Sequence, residues 1–458
     1  MKNSSKILLS VYSIVTLVVI ILFVAIIRDD IKLRKENEAM KQELEQIETK
    51  EPVQTSKPLQ TEEASKTEEP FKSEEPVQTM EAEKTEEPVQ TKEVEKTEEP
   101  VQTKEVEKTI KPVETKEPEK TKDPAQTLRP NYTKVPLKTQ EPDGAVTLVF
   151  AGDILLSQSM TNTYSKNNGE GIVNVLSHKL VSEFNNADIA MVNQEFPFST
   201  RGSKMPNKQY TFRTDPKYVS VFNDMGVDIV SLANNHTLDY GRDAFHDTFT
   251  VLDNAGIEYI GGGINLDRAK QAFTTEVEGK KITFLAASRV LPVGDWYAKD
   301  NKSGLFQTYD PTQLCEEIKK AEKDSDFTVV YVHWGKEHHS MPENYQRNMA
   351  KQYIDAGADA VIGCHTHCLQ GIEFYKGKPV VYSLGNFMFG NSIKSTMMYK
   401  LVINEDDSVT VNITPCKSIS YKTYPLIDEA EKEKFFVEYQ KICFNAQVDS
   451  NGDVWEYK

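Results

Sequence analysis

The chain is expected to form an α/β domain, and three observations predict that class. First, from residue 146 onward, short apolar runs alternate with amphipathic stretches, the pattern of strands joined by helical crossovers and covered on both faces. Second, Asp, Glu, Asn or His stands where five of the runs end, and open α/β sheets present ligands at the carboxyl ends of their strands. Third, the composition changes near Gly144. Only 38% of the 458 residues are hydrophobic, and most of the shortfall lies over 49–143. Residues 144–458 have ordinary composition and suffice for a large core.

Strands are expected over 146–151, 189–193, 229–233, 258–260, 282–288, 329–333 and 360–363. Helices are expected between them over 216–225, 242–254, 311–323 and 345–355. Further strands follow over 380–383, 400–404 and 409–413, the last two joined by the turn Glu405-Asp406-Asp407-Ser408, with a closing helix over 428–444.

Ahead of this domain the chain has three parts. Residues 7–27 carry no charge, and such a run makes a helix of roughly 32 Å, the thickness of a bilayer core. Residues 1–28 are therefore read as a single-pass transmembrane anchor. A cleaved signal is disfavoured because Ala25-Ile26-Ile27-Arg28 offers no small-x-small site. Arg28, Lys32, Arg34 and Lys35 outnumber Lys2 and Lys6, so charge counting alone leaves the domain on the cytoplasmic side. Over 29–48, Leu33, Asn37, Met40, Leu44 and Ile47 follow four-three spacing, which fits either a short solvated helix or a coiled-coil seam that would pair two copies as a homodimer. Over 49–143 a twelve-residue unit of Thr, Glu, Pro and Lys repeats, clearest in TEEPVQTKEVEK. Such units cannot offset chain entropy by burial and are expected to be disordered. As a spacer, this linker reaches roughly 55 Å as a coil and roughly 290 Å as polyproline II.

The formal charge of −16, from 70 acidic and 54 basic side chains, argues against a nucleic-acid partner, which requires a concentrated positive surface. Five cysteines, all after residue 300, form no disulfide scaffold in a chain of this length.

The strand ends carry the chemistry. Asp153 follows the first strand in AGDILL, and Asn193 and Glu195 follow the second in MVNQEFP. Asn234, Asn235 and His236 follow the third in SLANNHTLDYG, His333 ends VVYVHWGKE, and His365 and His367 lie in IGCHTHCLQ. Singly, each has a plain reading as a turn, a cap or a satisfied core residue, and His178 and His246 are assigned nothing. Together, two carboxylates, an amide and three imidazoles suit a site for one or two divalent transition ions such as Mn, Zn or Fe. Cys364 and Cys368 flank the imidazoles as CHTHC and are read as small packing residues rather than zinc thiolates. His338 and His339 lie in a loop able to line the cleft.

The set GD…NxE…NNH…HWGxE…GxHxH, followed by KPVVYSLGNFMFG, resembles the CapA/PgsA family of poly-γ-glutamate capsule biosynthesis proteins, a branch of the calcineurin-like metallophosphoesterase superfamily. The resemblance covers residues 146–390. It implies a four-layer αββα sandwich outside the cytoplasm, against the charge count. Carried over by position, it implies that Asp153 binds a first metal and Glu195 bridges to a second. Asn235, His333 and His365 would complete the second position, and His367 would return to the first. His236 would be the acid or the contact to a transferring oxyanion, with Asp239 or Glu337 orienting an imidazole. Arg213 and Asn234 are the substrate-binding candidates, Arg213 as a clamp for a carboxylate or phosphate. Three departures from the wider superfamily stand out. Leu155 replaces a ligand His, Glu195 replaces Asp, and Thr237 replaces an acid after His236.

A metal at this site would activate water for hydrolysis or transfer at an amide, ester or phosphoester. No phosphate-cradling Gly-rich loop is present, since Gly279-Lys280 is followed by Lys281. Polymer synthesis would therefore need a separate ligase or export subunit. The expected function is a membrane-anchored, extracytoplasmic component handling an anionic polymer such as poly-γ-glutamate. The alternatives are a surface metallophosphoesterase and a non-catalytic polymer-binding module on the same fold.

Overall fold

The computed structural model describes residues 144–166 and 171–457. The expected anchor, coiled coil and repeat linker lie outside the described residues. Among the described residues no helix is long and apolar enough to cross a membrane.

The fold is a mixed α/β sandwich of two sheets. The first contains β1 (Val146–Ile154), β2 (Ile189–Gln194), β3 (Ile229–Ser231) and β4 (Glu258–Ile260), all parallel. The second contains β5 (Phe273–Val277), β6 (Lys280–Ser288), β7 (Phe327–His333), β8 (Ala360–Cys364), β9 (Leu369–Tyr375) and β10 (Lys378–Leu384), in the order β9-β10-β8-β7-β6-β5. The chain then returns to the first sheet. There β11 (Asn386–Met388) pairs with β1, β12 (Ile393–Ile403) runs antiparallel to β1, and β13 (Val409–Ile419) pairs antiparallel with β12 as a long hairpin. Short strands β14 (Lys422–Pro425), β15 (Ala446–Val448) and β16 (Asp453–Glu456) complete that edge.

Alternation along the strands sets the layers. In β1, Leu148 and Phe150 face the space between the sheets, where they join Met191, Phe284, Tyr331, Ile362 and Tyr399. Val149 and Ala151 face the other way, toward α1 (Gln158–Tyr164), α2 (His178–Asn186), α3 (Ser220–Met225) and α4 (Gly241–Ala255). On the far side, Val330 and Val332 of β7 pack on α5 (Thr312–Asp324) and α6 (Asn344–Asp355) through Leu314, Ile318 and Tyr353. Helix, sheet, sheet and helix form four layers. The last helix, α7 (Glu429–Gln440), belongs to no outer layer; its Phe435, Phe436 and Tyr439 enter the inter-sheet core.

Every expected strand is present. The segment expected as one helix over 216–225 divides into a 3-10 turn, Pro216–Val219, capped by Asp215, and the short α3. The closing helix ends at Gln440, short of 444. Helices α1 and α2, and strands β5, β9, β11 and β14 to β16, had no expectation.

Candidate metal centre

The carboxyl ends of β1, β2 and β3 in one sheet meet those of β7 and β8 in the other. Each end delivers a side chain into one buried cluster. Asp153 and Glu195 are fully buried, and Asn235, His333 and His365 are nearly so. Backbone bonds tie the first two together, with Glu195 N donating to Ile154 O at 3.0 Å. Asn193 Nδ2 donates to Asp153 Oδ1 at 2.8 Å and reaches Glu195 Oε2 at 3.3 Å. The Asn235 Oδ1 stands 2.8 Å from His333 Nε2. His367 has Nδ1 3.4 Å from Asp153 Oδ2 and Nε2 3.8 Å from Glu195 Oε1. His365 and His367 sit at φ 98° and 56°. This left-handed backbone is costly for an imidazole residue and is held only where surrounding structure requires it.

Two buried atoms in the cluster have no hydrogen-bond partner, Glu195 Oε1 and His365 Nδ1. An unsatisfied buried acceptor costs about 1–3 kcal/mol, more for a charged group. Two such atoms within one cluster of acceptors fit a cation. The potential donor atoms of Glu195, His365 and His367 lie within 4.8 Å of one another, as do those of Asp153, His333 and Cys364. Electrostatics agree with that fit. Burial holds His333 well below the ordinary imidazole range. Burial beside His367 brings His365 down to about 3, so both offer neutral lone pairs. Burial and the neighbouring Asp153 push Glu195 well up. Burial also works against a charged His367, but Glu195 and Asp153 outweigh it and raise that group to about 10. Without a metal, the raised Glu195 carboxyl favours its protonated form. Carboxylate, amide oxygen and imidazole together suit divalent transition ions.

His236 flanks the cluster. Its Nε2 is 3.9 Å from Glu195 Oε1, and its Nδ1 is 2.7 Å from Asp239 Oδ2. Phe212 stacks on the imidazole at 4.2 Å and donates its own N–H to Asp239 Oδ2 at 2.7 Å. The acid missing at Thr237 is thus supplied two residues later by Asp239. Thr237 instead closes the turn, its hydroxyl donating to Leu232 O at 2.6 Å. Glu337, the other orienting candidate, is exposed.

Lys208 had no role in the sequence reading. Its Nζ contacts Asp239 Oδ1 and Asn235 O and stands 3.1 Å from His236 Nδ1. It also lies over the Trp296 ring at 5.3 Å. No local motif marks this lysine, because the loop that carries it arrives from a distant part of the chain.

Several candidates are placed differently from expectation. Asn234 is fully buried. Its Nδ2 donates to Asn193 Oδ1 and Gln194 O, at 3.0 and 2.7 Å. Its Oδ1 accepts from His236 N at 3.0 Å and lies 2.9 Å from the Thr237 hydroxyl. The amide is saturated within the fold and turns no group toward a substrate. Arg213 is exposed, lies on the Tyr240 ring at 4.1 Å and donates to Arg201 O at 2.7 Å. Its guanidinium pins a loop and is not presented as an anion clamp. Cys364 is buried as expected, yet its Sγ lies 3.2 Å from His333 Nδ1, against the cluster. Cys368 is partly buried beside Thr366. His338 rims the cleft, its ring 6.1 Å from that of His367. His339 is exposed and turns Nδ1 to Glu337 O at 2.9 Å. Leu155 is buried in the apolar layer behind β1 and cannot stand in for an imidazole.

This chain is similar to several known proteins. The family described as bacterial capsule synthesis protein PGA_cap matches residues 147–391. The PGA biosynthesis protein CapA of Bacillus subtilis (strain 168) is 29% identical over 321 residues, covering 66% of this chain and 83% of its own length. The capsule biosynthesis protein CapA of Bacillus anthracis is 25% identical over 323 residues, covering 68% and 76%. Among solved structures, a phosphatase from Mycoplasma pneumoniae aligns with TM-score 0.39 and 13% identity, over 61% of this chain and 95% of that one. The match to the family spans more than half of the chain and every strand end that builds the cluster, so this protein belongs to the bacterial capsule synthesis family PGA_cap.

Proposed function

We propose that this protein is a membrane-anchored, extracytoplasmic component of poly-γ-glutamate capsule biosynthesis with a metal-dependent hydrolase-like site on a metallophosphoesterase-type sandwich. One observation carries the catalytic part: buried ligand-type atoms from five strand ends converge, and two of them, Glu195 Oε1 and His365 Nδ1, have no partner. The capsule role draws support from family membership and from the names of the CapA relatives. The membrane anchor and the linker rest on residues 1–143 as read above.

Asp153, Glu195 and His367 would hold one ion, and Glu195, Asn235, His333 and His365 the other. When bound, a divalent ion supplies an activated water and stabilises developing negative charge. The remaining work belongs to the chain. The Nδ1–H of His236 donates to Asp239, which orients the ring so that Nε2 faces the centre. Burial keeps this imidazole below its ordinary range, so it rests neutral with Nε2 able to take up a proton and return it to a leaving group. Lys208 neutralises Asp239, and Phe212 excludes water from one face of the ring. Lacking a phosphate-cradling loop, the chain leaves polymer synthesis to a separate ligase and handles or trims the anionic product.

Metal content of the purified protein, wild type beside His367→Ala and Asn235→Ala, tests the reading. One or two equivalents of Mn, Zn or Fe, reduced in both variants, are expected, with release of short fragments from γ-glutamyl chains. No metal after reconstitution with all three would refute the site. Metal binding combined with turnover of phosphodiesters and none of γ-glutamyl chains would favour a phosphoesterase.

A further inference from the structure

The segment Ser383-Leu384-Gly385-Asn386, which joins the two sheets, has no role in the site described so far. It is fastened from both sides. Asp153 N donates to Gly385 O at 2.8 Å, and Asn386 stands in parallel register with Asp153. The Thr366 hydroxyl, between the two loop imidazoles, bonds the Ser383 hydroxyl at 2.8 Å. The approach requires glycine at position 152, because a Cβ there would meet Gly385 O at 1.8 Å. Gly385 itself sits at φ 64°, a conformation glycine adopts without the cost a side chain adds.

The result is one close polar contact: Asn386 Oδ1 lies 2.8 Å from His367 Nδ1. An amide oxygen only accepts, so this nitrogen carries the proton. The competing acceptor, Asp153 Oδ2, is farther away at 3.4 Å. Asn386 therefore takes the N–H, and Asp153 Oδ2, which accepts from His365 N at 3.3 Å, keeps a lone pair for a cation. On the opposite side of the ring, Nε2 faces the unpartnered Glu195 Oε1. We infer that Asn386 is a positioning residue for the metal centre, fixing His367 with its Nε2 toward Glu195 and the ion. With Leu155 in the apolar layer, the first position lacks one imidazole, so the orientation of the remaining one matters more.

This inference rests on the metal-site reading above. The test is Zn²⁺ and Mn²⁺ affinity of the purified full-length protein by chelator competition, with thermal unfolding of the metal-free forms as a control. Partners that orient a ligating His are worth about 10–100-fold in metal affinity. Asn386→Leu should weaken one ion by that factor and leave the other unchanged, and Asn386→Asp, which keeps an acceptor, should recover most of the loss. In a His367→Ala background, Asn386→Leu should have no further effect. Wild-type affinity in Asn386→Leu would overturn the inference, as would a loss that persists without His367. Absence of metal from the wild type would overturn the site reading itself, an outcome visible before any variant is made.

Discussion

Lys208 offers the sharpest test of how the flank of the centre works. Lys208→Met keeps most of the apolar stem and removes the ammonium. Asp239 is fully buried and the Lys208 side chain only 14% exposed, so the lost pair is an interior one. The carboxylate would keep two partners, His236 Nδ1 and Phe212 N, each at 2.7 Å, but no full positive charge. Breaking a buried pair from one side costs about 3–5 kcal/mol. His236 can answer by taking a proton. Burial holds it down now, with the Lys208 charge adding to that effect; without Lys208, Asp239 would raise its pKa. A raised imidazole contributes stability that is present below the unfolded value, about 6.5, and is lost as pH rises through the folded one. The expected cost of Lys208→Met is therefore about 3 kcal/mol at pH 8 and clearly less at pH 6. Equilibrium denaturation of metal-free protein at the two pH values measures both. A cost below about 1 kcal/mol, the range of exposed pairs, or one that is equal at both pH values would refute the reasoning.

If turnover is found, His236→Ala should lower kcat by about 10²–10⁴-fold, and Asp239→Asn should lower it too, with metal content unchanged in both; loss of the ion would remove the proton-transfer role. Arg347 makes a two-point contact to the buried Glu373, Nε at 2.9 Å and Nη2 at 3.0 Å, with Lys351 behind it at 3.8 Å. Arg347→Met should cost about 2–3 kcal/mol, discounted because the arginine is partly exposed. Burial opposes the Glu373 charge, but Arg347 and Tyr382 hold its pKa below the ordinary value. That stability is present above the unfolded pKa and lost as pH falls through the folded one, so wild type and variant should converge once acid protonates Glu373. Gly152→Ala would drive a Cβ into Gly385 O and should lower the melting temperature even without metal. Metal-free protein should also lose stability as pH falls below about 6.5, because His236, His333 and His365 rest neutral in the fold. The raised Glu195 opposes only part of this trend, and a stability that rises throughout acidification would contradict the buried neutral imidazoles.

The elements that were legible are those whose patterning reflects one local cause. Strands β1, β2, β6, β7 and β8 are buried on both faces, and such strands appear as unbroken apolar runs. Strand β5 alternates between half-buried and exposed positions and is rich in Thr and Glu, so no run announces it. The short β11 owes its existence to pairing with β1, a contact no neighbouring residue encodes. The ligand-type residues were visible because each follows a strand directly. Lys208 and Asn386 were not, because their relation to the site arises from the return of distant loops. Arg213 and Asn234 failed for a related reason: residue type indicates what a side chain can bind, and the fold had already assigned their donors to backbone carbonyls and a neighbouring amide.

The three departures from the wider superfamily pattern now separate in meaning. Thr237 costs the site nothing, since Asp239 reaches the same imidazole nitrogen from the next turn. Glu195 places a longer side chain than Asp at the centre of the cluster, and its Oε1, without a hydrogen-bond partner, would be the atom to bridge two ions. Leu155 is different in kind. Its side chain helps form the apolar layer behind β1 and carries no ligand atom, so one ion position would rely on fewer protein atoms. An ion held by Asp153, Glu195 and His367 would have fewer protein ligands than one held by Glu195, Asn235, His333 and His365. Metal occupancy should then rise in two separated steps, with the weaker step, and only that step, sensitive to Asn386. Simultaneous filling of both positions would mean that another group compensates for Leu155, and Cys364, against His333 and within reach of Asp153, is the side chain to vary next.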